Sequence, residues 1–224
     1  ATLYQLQRKY PNLQILLIEK EDRLAGHQTG HNSGVIHSGL YYKPGSKKAV
    51  NCVKGRHELV RFSKEFNVHH DVCGKVVVAT DETEMPFLDK IYNTGLKNEI
   101  EGIVRINSAE IKDLEPFCEG VAGIHVPCTG IIDFVGATNR LAEVALAQQS
   151  GSSVLLGEEF KQAEHEGGMT TVTTSKGVYK AKHTIYCGGL QADRLAKKDN
   201  VDLDLQIVGF RGDYYDLSEQ GMHK

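Results

Sequence analysis

Residues 26–42 concentrate side chains that could do chemistry. This stretch holds His27, His31 and His37 together with four glycines. Each imidazole needs a hydrogen-bond partner and each glycine weakens regular structure, so a buried core element explains the stretch poorly. An imidazole ordinarily titrates near neutrality and can accept a proton from a reacting group. Glycines let main-chain amides approach a bound molecule closely.

Four interpretations of this loop compete. A metal site is disfavoured because the three histidines come without a nearby cluster of carboxylates. A nucleophile site is disfavoured because Ser33 and Ser38 lack the G-x-S-x-G context. A glycine-rich turn with exposed histidines remains open. The favoured interpretation is a loop that wraps a cofactor and places a histidine near the reacting carbon.

The elements before the loop predict half of a dinucleotide-binding unit. Residues 2–10 have helical spacing, Pro11 ends them, and the apolar run 13–18 is typical of a buried parallel strand that Glu19 closes. An acid at this position accepts hydrogen bonds from ribose hydroxyls, and the matching glycine turn lies about 20 residues upstream. That turn would precede residue 1, so we expect the chain to be a fragment. The alternative is that Glu19 merely ends a strand at the surface.

The rest of the chain alternates helical and strand patterns. We predict an α/β fold in which a Rossmann-like parallel sheet, incomplete at its N-terminus, accompanies a second domain with a mixed β-sheet. The predicted helices are 47–66, 82–98, 109–114, 137–149 and 191–198. The predicted strands are 75–80, 123–133 with a turn inside it, 154–156, 160–164, 170–174, 178–180 and 183–187, before an extended segment 205–217. The expected cofactor domain comprises 1–80 and 135–200, and the expected substrate domain comprises 81–134 and 201–224.

Composition excludes several classes of protein. Acidic and basic residues are interspersed and the formal net charge is −3, which does not predict nucleic-acid binding. No run of eighteen apolar residues and no signal peptide occur in the sequence. The five cysteines are odd in number and include no C-x-x-C pair, so we expect reduced thiols and no metal site. These features favour a cytoplasmic location, with peripheral attachment to an inner membrane left open.

The loop and several later motifs resemble one family. The run GHNSGVIHSGLYY at 30–42, with IEKE at 18–21 before it and KPGS at 43–46 after it, is similar to the L-2-hydroxyglutarate oxidase and dehydrogenase family. That family lies within the D-amino-acid-oxidase-like flavoproteins. The resemblance covers essentially the whole chain. It continues through CGK at 73–75, EP at 115–116, TGIID at 129–133, CGG at 187–189 and VGFRGDYY at 208–215.

The resemblance implies FAD as the cofactor. Glu19 would bind the adenosine ribose, and the main chain at Phe160 would lie beside the adenine. Residues 29–34 would line the pyrophosphate and the flavin ring, and 187–189 would form a turn of small residues that approaches the cofactor. The individual residues of these two segments are Thr29, Gly30, His31, Asn32, Ser33, Gly34, Cys187, Gly188 and Gly189.

The resemblance also implies the reaction, which is oxidation of L-2-hydroxyglutarate to 2-oxoglutarate by hydride transfer to flavin. We predict His37 as the base, with His31 as the second candidate. Arg211 would anchor a substrate carboxylate, although a surface pair with Asp213 explains it equally well. Tyr41 would donate from its hydroxyl to the substrate, although aromatic side chains more often serve packing. Oxygen or a membrane quinone would accept the electrons.

Two other functions stay open. The segment 36–40 also resembles the flavin loop of glycerol-3-phosphate dehydrogenase, which makes this enzyme or an amine oxidase an alternative. A catalytically inert domain is the alternative from another class, because the glycine turn is absent from the sequence given. We expect the fragment itself to be inactive for the same reason.

Overall fold

The computed structural model describes residues 1–148, 151–215 and 217–221. The predicted helix end at Gln149 and the predicted extended residue Asp216 lie outside the described residues. The chain forms two compact units, one comprising Ala1–His31 with Leu141–Lys224 and the other comprising Asn32–Arg140. We call them the outer-sequence unit and the inner-sequence unit. The division into cofactor and substrate domains expected above stays a prediction.

The outer-sequence unit begins with helix α1, Thr2–Lys9, which ends before Pro11 as predicted. Strand β1, Leu16–Ile18, pairs in parallel with strand β8, Ser153–Leu155. Buried Gln7 links α1 to the residues that precede β1 and β8. Its side-chain amide donates to the carbonyl of Leu13 over 3.1 Å and accepts from the Ser152 hydroxyl over 2.8 Å. Segments far apart in sequence are thereby fixed beside each other.

A three-stranded antiparallel meander completes this unit. Strands β9, Phe160–Glu166, β10, Met169–Thr174, and β11, Val178–Ala181, pair in the order β11-β10-β9. A 3-10 helix, Gly189–Gln191, then leads to helix α6, Ala192–Lys198. The predicted strand 183–187 is wrong, because in the described residues this segment forms no strand ladder. An apolar run becomes a strand only where a neighbouring strand supplies hydrogen bonds.

The inner-sequence unit contains two three-stranded antiparallel sheets. The first has the order β2-β7-β3 and the second has the order β4-β6-β5. These strands are β2, Val35–Ile36, β3, His70–Asp71, β4, Val76–Ala79, β5, Val104–Asn107, β6, Ala122–His125, and β7, Gly130–Ile132. The helices are α2, Lys47–Glu65, α3, Met85–Lys97, with a 3-10 turn at Glu82–Glu84 before it, α4, Ser108–Leu114, and α5, Phe134–Leu146, which continues past Arg140.

The core of the inner-sequence unit lies between α3 and the second sheet. Leu40 belongs to this core and is 1% exposed, although it comes from the histidine-bearing loop. The other buried members are Ala79, Leu88, Ile100, Ile103, Ile124 and Val126. Burial of Leu40 therefore fixes this part of the loop to the core of the inner-sequence unit.

The observed elements confirm the predicted α/β fold with a parallel pair and additional sheets. The predicted helices are present, with ends that differ by a few residues. Strands β2, β3 and β5 were not predicted. No helix in the described part of the chain is both long and apolar enough to cross a membrane.

Candidate functional site

Glu19 lies at the carboxyl end of β1, as predicted. Its main-chain N–H donates to the carbonyl of Leu155 over 2.9 Å, and its carbonyl accepts from the N–H of Glu158 over 2.9 Å. Its side-chain Oε1 accepts from the N–H of Glu21 over 3.0 Å. The carboxylate is thus oriented by main-chain contacts at the place where dinucleotide-binding folds hold a ribose hydroxyl.

Glu158 is hydrogen-bonded through its main-chain N–H to this strand end. Its side chain is 4% exposed. The carboxylate accepts hydrogen bonds from the Thr174 hydroxyl and, over 2.8 Å, from the Tyr179 hydroxyl. These hydrogen bonds, that of Thr174 first, hold the pKa of Glu158 below its usual value. A buried carboxylate in this setting stays ionised and links the end of β1 to the meander.

The loop after Glu19 is organised by Glu21. Its carboxylate accepts from Lys20 and, over 2.7 Å, from Nε2 of His27, and these partners lower the pKa of Glu21. The imidazole of His27 is therefore held by this contact with Glu21 at the start of the loop. Turn hydrogen bonds follow, from the N–H of Gly30 to the carbonyl of His27 over 2.9 Å and from His31 to Gln28 over 3.2 Å. Thr29, Gly30 and His31 are exposed. Within the described ranges, no three His, Cys, Asp or Glu side chains converge as metal ligands would.

The turn 187–189 requires small residues. A Cβ on Gly188 would lie 2.3 Å from Cδ1 of Leu195, and Gly189 has a φ of +54° with Gln28 3.0 Å from its Cβ position. Cys187 is exposed, and its Sγ lies 3.6 Å from the Thr2 hydroxyl. The main chain therefore passes close to the side chains of Leu195 on α6 and of Gln28, and the positive φ of Gly189 favours glycine at that position.

Phe160 begins β9 and has its ring packed edge-on against Tyr186, with 5.3 Å between the ring centroids. Its carbonyl accepts from Nζ of Lys198 over 3.3 Å. Burial, together with the nearby Asp199, raises the pKa of Tyr186 to about 12, so this hydroxyl stays protonated. Phe160 is thus held by packing on one side and by a cation on the other.

In the inner-sequence unit, Asn32, Ser33 and Gly34 lead into β2. The side chain of Asn32 accepts from the N–H of Gly34 over 2.8 Å, which closes a local turn. Gly34 has a φ of +68°, and its carbonyl accepts from the N–H of Ile132 over 2.8 Å. Ser33 is exposed. The turn and the β2-β7 ladder together fix the direction in which the chain leaves the loop.

His37 follows β2 directly and has an exposed side chain between buried Ile36 and buried Ser38. Its main-chain carbonyl accepts from the thiol of Cys52 over 3.2 Å. A Cβ on the next glycine, Gly39, would lie 3.5 Å from Cβ of Cys52, and Gly39 has a φ of +91°. The imidazole is thus exposed on a main chain that α2 and the core hold in place.

Asn98 fixes the remainder of the loop. Its buried side-chain amide donates to the carbonyl of Gly39 over 3.0 Å and to that of Tyr42 over 2.8 Å. Tyr41 lies between these two anchors and is 57% exposed. Nζ of Lys75 lies 3.2 Å from the Tyr41 hydroxyl and 4.5 Å from the centroid of its ring. A role of Tyr41 in binding the substrate stays a prediction.

Arg211 lies on an extended segment that forms no strand. Its Nε pairs with Oδ1 of Asp213 over 2.7 Å, and its side chain is 87% exposed. This is the surface pair that the sequence offered as the alternative. A role in anchoring substrate stays a prediction for Arg211. Sequence reasoning missed Cys52, Lys75, Asn98 and Glu158, whose side chains contact residues 15 or more positions away in the sequence.

The family follows from comparison with known proteins. The family described as "DAO: FAD dependent oxidoreductase" matches residues 1–223. The chain belongs to this family. The L-2-hydroxyglutarate dehydrogenase of Indibacter alkaliphilus is 44% identical over 221 residues, which cover 98% of this chain and 55% of that protein. The human mitochondrial L-2-hydroxyglutarate dehydrogenase is 39% identical over 226 residues, 96% of this chain and 48% of that protein. The chain spans about half the length of these relatives.

Solved structures agree with the fold. The L-α-glycerophosphate oxidase of Mycoplasma pneumoniae, solved with FAD bound, has a TM-score of 0.80 and 28% identity, covering 90% of this chain and 54% of that one. The glycine oxidase of Geobacillus kaustophilus has a TM-score of 0.77 at 16% identity, covering 88% and 54%, and this likeness concerns the fold alone. The predicted flavoprotein fold is confirmed.

The residues present fit an FAD. The carboxylate of Glu19 ends a parallel strand, and in the described residues only its Oε1 takes part in a hydrogen bond. Its other oxygen can accept from a ribose hydroxyl. The exposed turn at residues 29–31 and the pair of glycines at 188 and 189 allow close approach of a phosphate or a ring.

Proposed function

We propose that the full-length protein oxidises L-2-hydroxyglutarate to 2-oxoglutarate with FAD. The observation that carries the proposal is the placement of His37, an exposed imidazole on a main chain held by Cys52 and by buried neighbours. Curated relatives named L-2-hydroxyglutarate dehydrogenase, 39–44% identical across nearly the whole chain, support the choice of substrate. A fixed base is what removal of a hydroxyl proton requires.

Several residues are candidates for holding the cofactor. Glu19 would accept from the ribose, residues 29–34 would contact the pyrophosphate and the flavin ring, and residues 187–189 would allow close approach. The main chain at Phe160 would lie beside the adenine. When bound, FAD supplies the acceptor for the hydride, while the protein supplies orientation.

The role of His37 is to accept the proton of the substrate's 2-hydroxyl group. As the O–H bond breaks and the C2–O bond becomes a carbonyl, the α-hydrogen would leave C2 with its electron pair, for which bound FAD would supply the acceptor. His37 would hold the proton until solvent removes it. His31 is the second candidate for this base, and Arg211 is a candidate anchor for a substrate carboxylate.

Other assignments belong to the same proposal. Oxygen or a membrane quinone would take the electrons, in a cytoplasmic protein or one attached peripherally to an inner membrane. The 224-residue chain alone would be inactive. Glycerol 3-phosphate is the second candidate substrate, because a glycerophosphate oxidase matches the fold at a TM-score of 0.80 and 28% identity.

Anaerobic substrate addition to the purified full-length protein tests the proposal. L-2-hydroxyglutarate should bleach the flavin absorbance and yield one 2-oxoglutarate per flavin, whereas the D-enantiomer, glycine and glycerol 3-phosphate should not. Bleaching by glycerol 3-phosphate instead would favour the second candidate. A full-length protein without flavin absorbance would favour the inert domain. The isolated chain, measured beside it, tests the expectation that it is inactive.

A further inference from the structure

We propose that Lys75 and Tyr41 form the site that binds the distal carboxylate of the substrate and thereby selects a diacid. This inference rests on the proposed function and names two specificity-determining residues for it. In the described part of the chain, Lys75 has no carboxylate within ion-pair distance. Its ammonium contacts Tyr41 instead, 3.2 Å from the hydroxyl and 4.5 Å from the ring centroid.

The chemistry of this pair suits an anion. Because an ammonium can only donate, the Tyr41 oxygen accepts from Lys75, and the phenolic hydrogen remains to be donated elsewhere. A carboxylate placed beside the pair would receive one hydrogen bond from the phenol and one from the ammonium, both strengthened by charge. The ammonium also lies over the ring, which limits the directions in which its other hydrogens point.

Both side chains start from a fixed main chain. The N–H of Lys75 donates to the carbonyl of Val126 over 3.1 Å, and the N–H of Val126 donates back over 2.9 Å. On the other side, Asn98 anchors the carbonyls of Gly39 and Tyr42, which flank Tyr41. A site built on such supports holds its geometry before a ligand arrives, and this reduces the cost of binding.

The pair lies close in sequence to the candidate base. His37 and Tyr41 are four residues apart, so their Cα atoms are at most about 14 Å apart. A five-carbon diacid with its 2-hydroxyl group at His37 carries its second carboxylate away from that end. The exposed Tyr41 ring leaves this site open to solvent until a ligand covers it.

The test compares two acids in the full-length FAD-loaded protein. L-2-hydroxyglutarate has the distal carboxylate, and (S)-2-hydroxypentanoate lacks it. Lys75→Met should lower kcat/KM for the diacid about 10- to 100-fold, mainly through KM, because a hydrogen bond to a charged group is lost. It should leave kcat/KM for the monoacid within about twofold. Lys75→Arg should restore part of the loss, and Tyr41→Phe should cost less than Lys75→Met.

Lys54→Met is the matched control, since Lys54 is an exposed lysine on α2. Glutarate, which cannot be oxidised at C2, gives a readout independent of turnover. It should bind the wild type and bind Lys75→Met at least tenfold more weakly, as calorimetry would show, with Lys54→Met unchanged. Three results would overturn the inference: equal losses of kcat/KM for both acids in Lys75→Met, no glutarate binding to the wild type, or glutarate binding that Lys75→Met does not weaken.

The proposed function would be refuted separately, if neither acid reduced the flavin of the wild type. Glutarate binding would still decide the role of Lys75 in that case.

Discussion

The thiol of Cys52 donates a hydrogen bond to the main-chain carbonyl of His37, with 3.2 Å between Sγ and the oxygen. Burial raises the pKa of the Cys52 thiol, so at neutral pH it stays protonated and remains a donor. Cys52 lies on α2, fifteen residues from His37 in sequence. The helix thereby positions the main chain of the candidate base.

Cys52→Val should slow flavin reduction by the substrate about fivefold, because a hydrogen bond worth about 1 kcal/mol is lost while the side chain's shape is nearly kept. Cys52→Ser retains a donor and should stay near the wild-type rate. Anaerobic stopped-flow absorbance on the full-length protein measures both. Equal rates in the two variants would show that the hydrogen bond does not position His37.

Asn98→Asp should destabilise the full-length protein by about 2–4 kcal/mol. The substitution removes both donors and places a carboxylate against the carbonyls of Gly39 and Tyr42. Urea unfolding followed by circular dichroism gives the free energy. Asn93→Asp, at an exposed position on the preceding helix α3, is the control and should change stability by less than about 0.5 kcal/mol. Similar effects at both positions would contradict the anchoring role of Asn98.

Glu158→Gln should make stability less dependent on pH. The folded-state pKa of Glu158 lies below its usual value because Thr174 and Tyr179 donate to the carboxylate. Its contribution is therefore fully present above the unfolded-state pKa of about 4.3 and is lost as the pH falls through the folded-state pKa. The melting temperatures of wild type and variant should differ at neutral pH and approach each other in acid. Glu166→Gln, at an exposed position on β9, is the control and should show no such convergence. If the melting temperature of Glu158→Gln differed from that of the wild type by the same amount at every pH, the lowered pKa of Glu158 would not be the cause.

Gly130→Ala should cost about 1–3 kcal/mol of stability through overpacking. Gly130 lies on β7, between β2 and β3, and an added Cβ would lie 2.2 Å from the carbonyl oxygen of Asp71. Gly55→Ala is the contrast, because Gly55 is exposed on α2 with nothing within 4 Å of the Cβ position. This change should stabilise the helix by up to about 1 kcal/mol. Thermal unfolding measures both, and a neutral Gly130→Ala would contradict the observed sheet spacing.

Much of the fold could be predicted because local patterns determine it. The helical period of α2 and α3 and the turn glycines of the meander appear in short stretches of sequence. Strands β2 and β3 have two residues each and exist only because β7 lies between them, which no local pattern reveals. The segment 183–187 has a strand-like composition, but it pairs with no neighbouring strand in the described residues and forms no strand.

The position of Glu19 at the end of β1 was predictable from the local pattern, while the roles of Glu19 and His37 stay predictions. The candidate site was not predictable where the function of a side chain depends on its tertiary partner. Asn98 and Lys75 are ordinary surface residue types in the sequence, and their roles depend on carbonyls and a phenol 34 to 59 positions away. Hydrogen bonds of this range follow from packing, which a single sequence does not specify.

Single-turnover flavin reduction in His37→Ala tests the central claim most directly. Full-length wild type, His37→Ala and His31→Ala would each be mixed anaerobically with L-2-hydroxyglutarate and followed by flavin absorbance. We expect His37→Ala to retain its flavin but reduce it about 10²- to 10⁴-fold more slowly, with His31→Ala near the wild type. Near-normal reduction in flavin-loaded His37→Ala would contradict the assignment of His37 as the base.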